Sequence, residues 1–373
     1  VPSVFLLRTR PARPHRLSLA GCALLLLALR AEAASPGPPD ACPADSAAAV
    51  GRDDVWTVST RRLPAVCSPP ATARVAVERL AADPDARTEE RPARTGGRRW
   101  ERSDLESLLA EQTRPLIVFI HGNRYDHGDA RSQGALLAAR MAACCPDTPP
   151  AQTVIFSWPS EQQGILLRDG RAKLDRARAD AHYLAWLLGR VDPARPVAIV
   201  GYSFGAIISL GALDDLATGR TLLRSDAVSW ADRPGRTHLV LVAPAVRCDC
   251  LAARGPHRQA ALCLDRLTLV INSEDEALRF FPLLEHDDRV QALGEVGMPR
   301  RWLPPGVEFS STNAAPLIGR QHSFLPYLGS NALSRRICVG AGEAIDAAPT
   351  DDPAAGRPLA STDSAAAGTV DAG

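Results

Sequence analysis

The chain has 373 residues, 46% of them hydrophobic and 23% charged. These are ordinary globular proportions, so collagen-like, wholly disordered and multi-span membrane classes are excluded for its body. Formal net charge is +1 and becomes −3 when residues 1–33, with five Arg and one Glu, are set aside, so the basic footprint of a nucleic-acid binder is missing.

Residues 1–33 combine a positive region (Arg8, Arg10, Arg13, Arg16), an apolar run from Leu17 to Leu29 and the small-x-small sequence Ala31-Glu32-Ala33. This predicts a signal peptide and an exported protein, periplasmic or extracellular. The apolar run falls short of the roughly 20 residues of a membrane-spanning helix. In Leu19-Ala20-Gly21-Cys22 the main apolar stretch follows the cysteine, so anchoring or lipidation is the lesser expectation. Residues 34–50 read as a flexible linker, 51–340 as one folded domain and 341–373 as a disordered tail. Without Cys22 eight cysteines remain: Cys42, Cys67, Cys144, Cys145, Cys248, Cys250, Cys263 and Cys338. An even number in an exported chain predicts disulfides. Metal binding by Cys248-Asp249-Cys250 with His257 and Cys263 is the weaker alternative, because the spacing matches no usual zinc pattern.

In chain order, residues 54–60 and 74–80 read as short strands, and Leu105, Leu108 and Leu109 give 103–112 helical spacing. Residues 116–120 are an unbroken apolar run bounded by Pro115 and Gly122, the mark of a strand buried on both faces. Similar runs follow at 153–156, 197–200, 238–242 and 267–271, with helical patterns at 130–143, 169–188, 206–216 and 276–284 and a further short strand at 307–311. Apolar strands alternating with amphipathic helices predict an α/β fold, with a mostly parallel central sheet and helices on both faces.

The strand at 197–200 runs into Gly201-Tyr202-Ser203-Phe204-Gly205, and a helix follows at once. G-x-S-x-G between a buried strand and a helix is a nucleophile elbow, a turn so tight that the serine hydroxyl is held at the top of the sheet. A serine hydroxyl needs a base, and the base an orienting acid, in the chain order Ser, Asp or Glu, then His. That order sets aside His15, His121, His127 and His182, which precede Ser203, and disfavours His238 and His257, which precede the last buried strand and its acids. His286 lies close behind those acids, whereas His322 follows a Pro- and Gly-broken stretch where a loop-borne base belongs. His322 is therefore the expected base. Asp275, in Asn272-Ser273-Glu274-Asp275-Glu276 at a carboxyl strand end, is the expected acid. Glu274 and Glu276 read as helix-start residues, and Asp249 is a rival between two cysteines expected to constrain it in a disulfide loop. The Phe204 N–H and, from the loop His121-Gly122-Asn123-Arg124-Tyr125, the Asn123 N–H are the expected oxyanion donors, with His121 shaping that loop. Tyr202, Trp158 and Arg124 are candidates for the substrate side, with a core aromatic the equal alternative for Trp158.

Ile120-His121-Gly122-Asn123, Phe156-Ser157-Trp158-Pro159-Ser160 and the elbow together resemble an uncharacterised bacterial family of the alpha/beta-hydrolase superfamily, over about residues 54–339. The S-W-P-S element is the specific part, since the HG loop and the elbow are shared across the superfamily. The resemblance implies an alpha/beta-hydrolase fold. It also implies an acid near Ala277-Leu278, matched one position removed by Asp275, and a late His before Ser and an aromatic, matched by His322-Ser323-Phe324.

The expected activity is that of an exported serine hydrolase cleaving an ester or related acyl bond of a small-molecule or lipid-like substrate, which leaves peripheral membrane contact open. This chemistry calls for no metal and no organic cofactor. The alternative is a non-catalytic envelope binding protein on a hydrolase scaffold, because fold alone does not set function.

Overall fold

In the computed structural model of the chain, the described residues are 54–66, 69, 73–82, 98–163, 166–219, 229–285 and 289–346. The expected signal peptide and linker, Cys42, Cys67, His286 and residues 347–373 lie outside them. Among the described residues the strands are β1 (Asp54–Ser59), β2 (Ala76–Ala82), β3 (Arg98–Ser103), β4 (Leu116–Ile120), β5 (Gln152–Ser157), β6 (Val197–Tyr202), β7 (Thr237–Val242), β8 (Arg266–Ile271) and β9 (Glu308–Asn313). The helices are α1 (Leu105–Leu109), α2 (His127–Cys144), α3 (Leu166–Leu188), α4 (Gly205–Ala217), α5 (Phe281–Glu285), α6 (Leu293–Val296), α7 (Ala315–Ile318), α8 (Phe324–Gly329) and α9 (Asn331–Asp346).

The strands form one nine-stranded sheet in the order β3-β2-β1-β5-β4-β6-β7-β8-β9. β2 pairs antiparallel with both of its neighbours. Every other pair is parallel. Every residue of β4, β5, β6 and β7 is buried, as an apolar strand covered on both faces should be. The path from β4 to β5 moves one way along the sheet, and the paths from β5 to β6 and from β6 to β7 move the other way. With right-handed crossovers, α2 covers one face and α3 and α4 the opposite face, while α9 packs on α2.

Local chemistry explains several boundaries. α2 opens on a capping box: Asp126 Oδ1 accepts the Asp129 N–H at 2.7 Å, and Asp129 Oδ2 accepts the Asp126 N–H at 3.2 Å. β3, which the sequence pattern did not predict, reads Arg-Arg-Trp-Glu-Arg-Ser. Its charges suit an edge strand, and Trp100 carries the Arg131 guanidinium 5.3 Å from its ring centroid. The helix expected at 276–284 is instead a 3-10 turn, Leu278–Phe280, followed by the short α5. α3 begins at Leu166, three residues before the helix expected at 169–188. The expected tail starts too early, since α9 continues to Asp346. Gly340 lets α9 lie against the sheet, where a Cβ would stand 2.7 Å from Thr268 Oγ1.

Candidate active site

β6 delivers Ser203 into the turn before α4, at a φ of 52°. A side-chain-bearing residue in the left-handed region costs on the order of 1–3 kcal/mol and persists only where the surroundings over-determine it. Here the Ser203 N–H donates to Val242 O at 3.0 Å, and Ser203 O accepts from the Ala206 and Ala245 N–H groups, each at 3.1 Å. A Cβ on Gly205 would stand 2.2 Å from the Ile120 carbonyl oxygen, so α4 leaves the turn against β4 in space that only glycine fits.

The serine hydroxyl meets a histidine from far along the chain. His322, between α7 and α8, places Nε2 2.8 Å from Ser203 Oγ and Nδ1 2.6 Å from Asp275 Oδ2. Asp275 is fully buried in the turn after β8. Its Oδ1 accepts the Ala277 and Leu278 N–H groups at 3.0 and 3.1 Å, which leaves Oδ2 to the imidazole. A carboxylate only accepts, so Nδ1 carries the ring proton and Nε2 faces the hydroxyl as acceptor. The loop bearing His322 is tied down by Asn272, whose Nδ2 donates to Gly319 O at 2.8 Å and Gln321 O at 3.1 Å. The pattern reading missed Asn272, because nothing in a strand-ending Asn announces partners some fifty positions on.

The loop after β4 lies beside the elbow: a Cβ on Gly122 would be 3.1 Å from Ser203 Cβ. Among the described residues neither the Asn123 N–H nor the Phe204 N–H has an acceptor. His121 is fully buried, and that burial pushes its pKa down to about 3, so its ring is neutral. Nδ1 donates to Gly122 O at 2.9 Å, and Nε2 accepts the Trp158 N–H at 3.2 Å. In a trans peptide the N–H opposes the C=O, so holding Gly122 O also aims the Asn123 N–H.

Two of the three expected substrate contacts are placed elsewhere. Trp158 is fully buried and donates its indole N–H to His121 O at 2.9 Å, so it supports the loop from beneath and does not flank an entrance. Tyr202 is also buried; its hydroxyl donates to His322 O and its ring stacks on Phe324 at 4.8 Å between centroids, so it holds the His322 loop and is packed inside. Arg124 remains half-buried beside Asn123 at a φ of 68°, its guanidinium without a partner among the described residues.

The rival acid Asp249 is engaged by Arg247, with two contacts of 2.9 Å. Cys248 and Cys250 are both reduced, so the disulfide loop expected around Asp249 is not formed. Among the described residues a disulfide joins Cys145 to Cys338. No group of His, Cys, Asp and Glu side chains suited to a metal occurs among the described residues.

Comparison with solved structures finds similarity to several esterases, at low score and low identity. Esterase B of Lactobacillus rhamnosis is 12% identical, aligned over 63% of this chain and 78% of that one, with a TM-score of 0.34. Esterase Est22 is 13% identical over 89% and 88%, with a TM-score of 0.35. A bacterial heroin esterase is 16% identical over 73% and 78%, with a TM-score of 0.30. No curated protein is similar to the chain. The family described as alpha/beta hydrolase of unknown function (DUF900) matches residues 99–302, a span that holds Asn123, Ser203 and Asp275 and stops before His322. That match covers more than half of the chain and agrees with the sheet topology, and the chain belongs to this family of alpha/beta hydrolases.

Proposed function

We propose that the protein is a serine hydrolase cleaving an ester or related acyl bond. His322 Nε2 takes the Ser203 proton as Oγ attacks the acyl carbon, and the Asn123 and Phe204 N–H groups receive the charge on the carbonyl oxygen. His322 then gives that proton to the leaving group, and an acyl-Ser203 remains. Water, deprotonated by His322, releases the acid and restores the hydroxyl. Asp275 keeps the ring in the required tautomer and stabilises the imidazolium.

The observation that carries this reading is the continuous contact from Ser203 Oγ through His322 to buried Asp275, at 2.8 and 2.6 Å. Both lie within the reach that proton transfer requires. A fluorophosphonate probe is expected to label the wild type and leave folded Ser203→Ala unlabelled, and a folded wild type that resists the probe contradicts the reading. A series of p-nitrophenyl esters of increasing acyl length then sorts short-chain from lipid-like substrates. Export is part of the proposal; the character of residues 1–33 supports it, as does the Cys145–Cys338 disulfide, a bond that persists in oxidising compartments.

A further inference from the structure

The strand end Ser157-Trp158-Pro159-Ser160 is the most distinctive stretch of the sequence, yet the reaction proposed above uses none of it. Its polar groups hold the segment 121–125. Ser160 Oγ accepts the Tyr125 N–H at 3.1 Å and donates to Tyr125 O at 3.0 Å, Ser160 O accepts the Arg124 N–H at 2.8 Å, and Trp158 reaches His121 through both of its N–H groups.

Arg61, in the turn after β1, joins that arrangement from the other side. Its Nε donates to Ser157 Oγ at 2.8 Å and its Nη2 to Tyr125 O at 3.1 Å and His121 Nε2 at 3.4 Å, while Nη1 faces the Glu161 carboxylate as an ion pair. The side chain is only 10% exposed. His121 and Tyr125 stand two positions before and two after Asn123, so one guanidinium grips the loop on both sides of the expected oxyanion donor. The chain of bonds continues outward. Ser157 Oγ, having accepted from Arg61, meets His127 Nδ1 at 3.0 Å, and His127 Nε2 meets Glu78 Oε2 on β2 at 2.8 Å.

The geometry points to Arg61 as a positioning residue for acyl transfer: anchored through Ser157 and Glu161, its guanidinium sets where the Asn123 N–H stands relative to Ser203. This rests on the serine-hydrolase reading above. The donor matters most when negative charge sits on the carbonyl oxygen, so a displaced loop weakens the transition state more than the bound substrate. Lysine keeps the charge but lacks the planar fork that reaches Ser157, Tyr125 and His121 together.

The test uses the full chain carrying Arg61→Lys, Arg61→Ala or, as a milder change at the solvent side, Glu161→Gln. It reads steady-state kinetics on a p-nitrophenyl ester, the second-order rate of Ser203 labelling by a fluorophosphonate, and thermal melting. Arg61→Lys is expected to lower kcat by about 10- to 100-fold with KM within about twofold, short of the 10²–10³ that outright loss of an oxyanion donor costs. Labelling should slow in parallel, and ethylguanidine should restore part of the activity of Arg61→Ala but none of that of Ser203→Ala. Glu161→Gln should move the same quantities in the same direction by less, and it decides the matter if both Arg61 variants fail to fold. A folded Arg61→Lys with unchanged kcat, a change confined to KM, or a Glu161→Gln indistinguishable from wild type when the Arg61 variants do not fold overturns the inference. An active wild type beside unaltered variants removes this inference alone, whereas a wild type unlabelled at Ser203 removes the serine-hydrolase reading and this inference with it.

Discussion

His322 is bound at both ring nitrogens, and the two bonds have different consequences. In the proposed reaction the contact to Ser203 is the one along which a proton moves, and the contact to Asp275 decides which nitrogen is free to receive it. Asn in place of Asp275 can present an amide N–H to Nδ1 and so invert the tautomer, with little change in shape. Asp275→Asn is therefore expected to lower kcat by about 10⁴-fold while KM stays within a few-fold, measured on whichever p-nitrophenyl ester the wild type cleaves. An equal loss in KM with kcat intact would mean that Asp275 serves binding. That Ser203, His322 and Asp275 would meet was legible in the sequence, because chain order excludes most candidates. Tyr202, and the choice between entrance and core for Trp158, were not legible for the opposite reason: an aromatic residue beside a motif gives no sign of whether its ring turns toward substrate or into the core, and here both are buried.

The strand, turn and helix that make the elbow were readable because their constraint is local. Five residues must reverse the chain within one turn, and that demands small residues at fixed offsets. The structure adds the close approach of α4 to β4 at the Ile120 carbonyl oxygen. Gly205→Ala is expected to destabilise the protein by about 1–3 kcal/mol through overpacking, read as a lower urea midpoint, and to slow labelling of Ser203 in the folded fraction. Gly329→Ala, whose Cβ meets nothing within 4 Å, is the control and should change neither. An unaltered Gly205→Ala would show that α4 can move away from β4 without cost. Pattern reading missed β3, the short helices α6, α7 and α8, and the longer α9. β3 is charged because it is an edge, and α9 ends, from Ala341 onward, in a stretch that composition alone assigns to a tail.

Across the molecule, the Cys145–Cys338 disulfide ties the end of α2 to the middle of α9 over 193 residues of sequence. Closing a loop of that length restricts the unfolded chain, and Cys145→Ser is expected to cost about 2–4 kcal/mol. Thermal melting with and without reductant checks this: reduced wild type should match the variant, and the variant should not respond to reductant. Equal melting of oxidised wild type and variant would count against a stabilising role. Which cysteines pair was hidden in the sequence, since eight thiols allow many pairings and only the packing of α9 on α2 brings these two together. The same distinction runs through the whole protein. Periodicity, turn chemistry and chain order can be read without tertiary contacts, so they sufficed for the parallel sheet, the elbow and the choice of His322 and Asp275 as the side chains that meet Ser203 in line. Arg61, Asn272 and the buried roles of Trp158 and Tyr202 depend on groups roughly 40 to 120 positions away, and such partners exist only once the sheet has brought its strand ends to one edge.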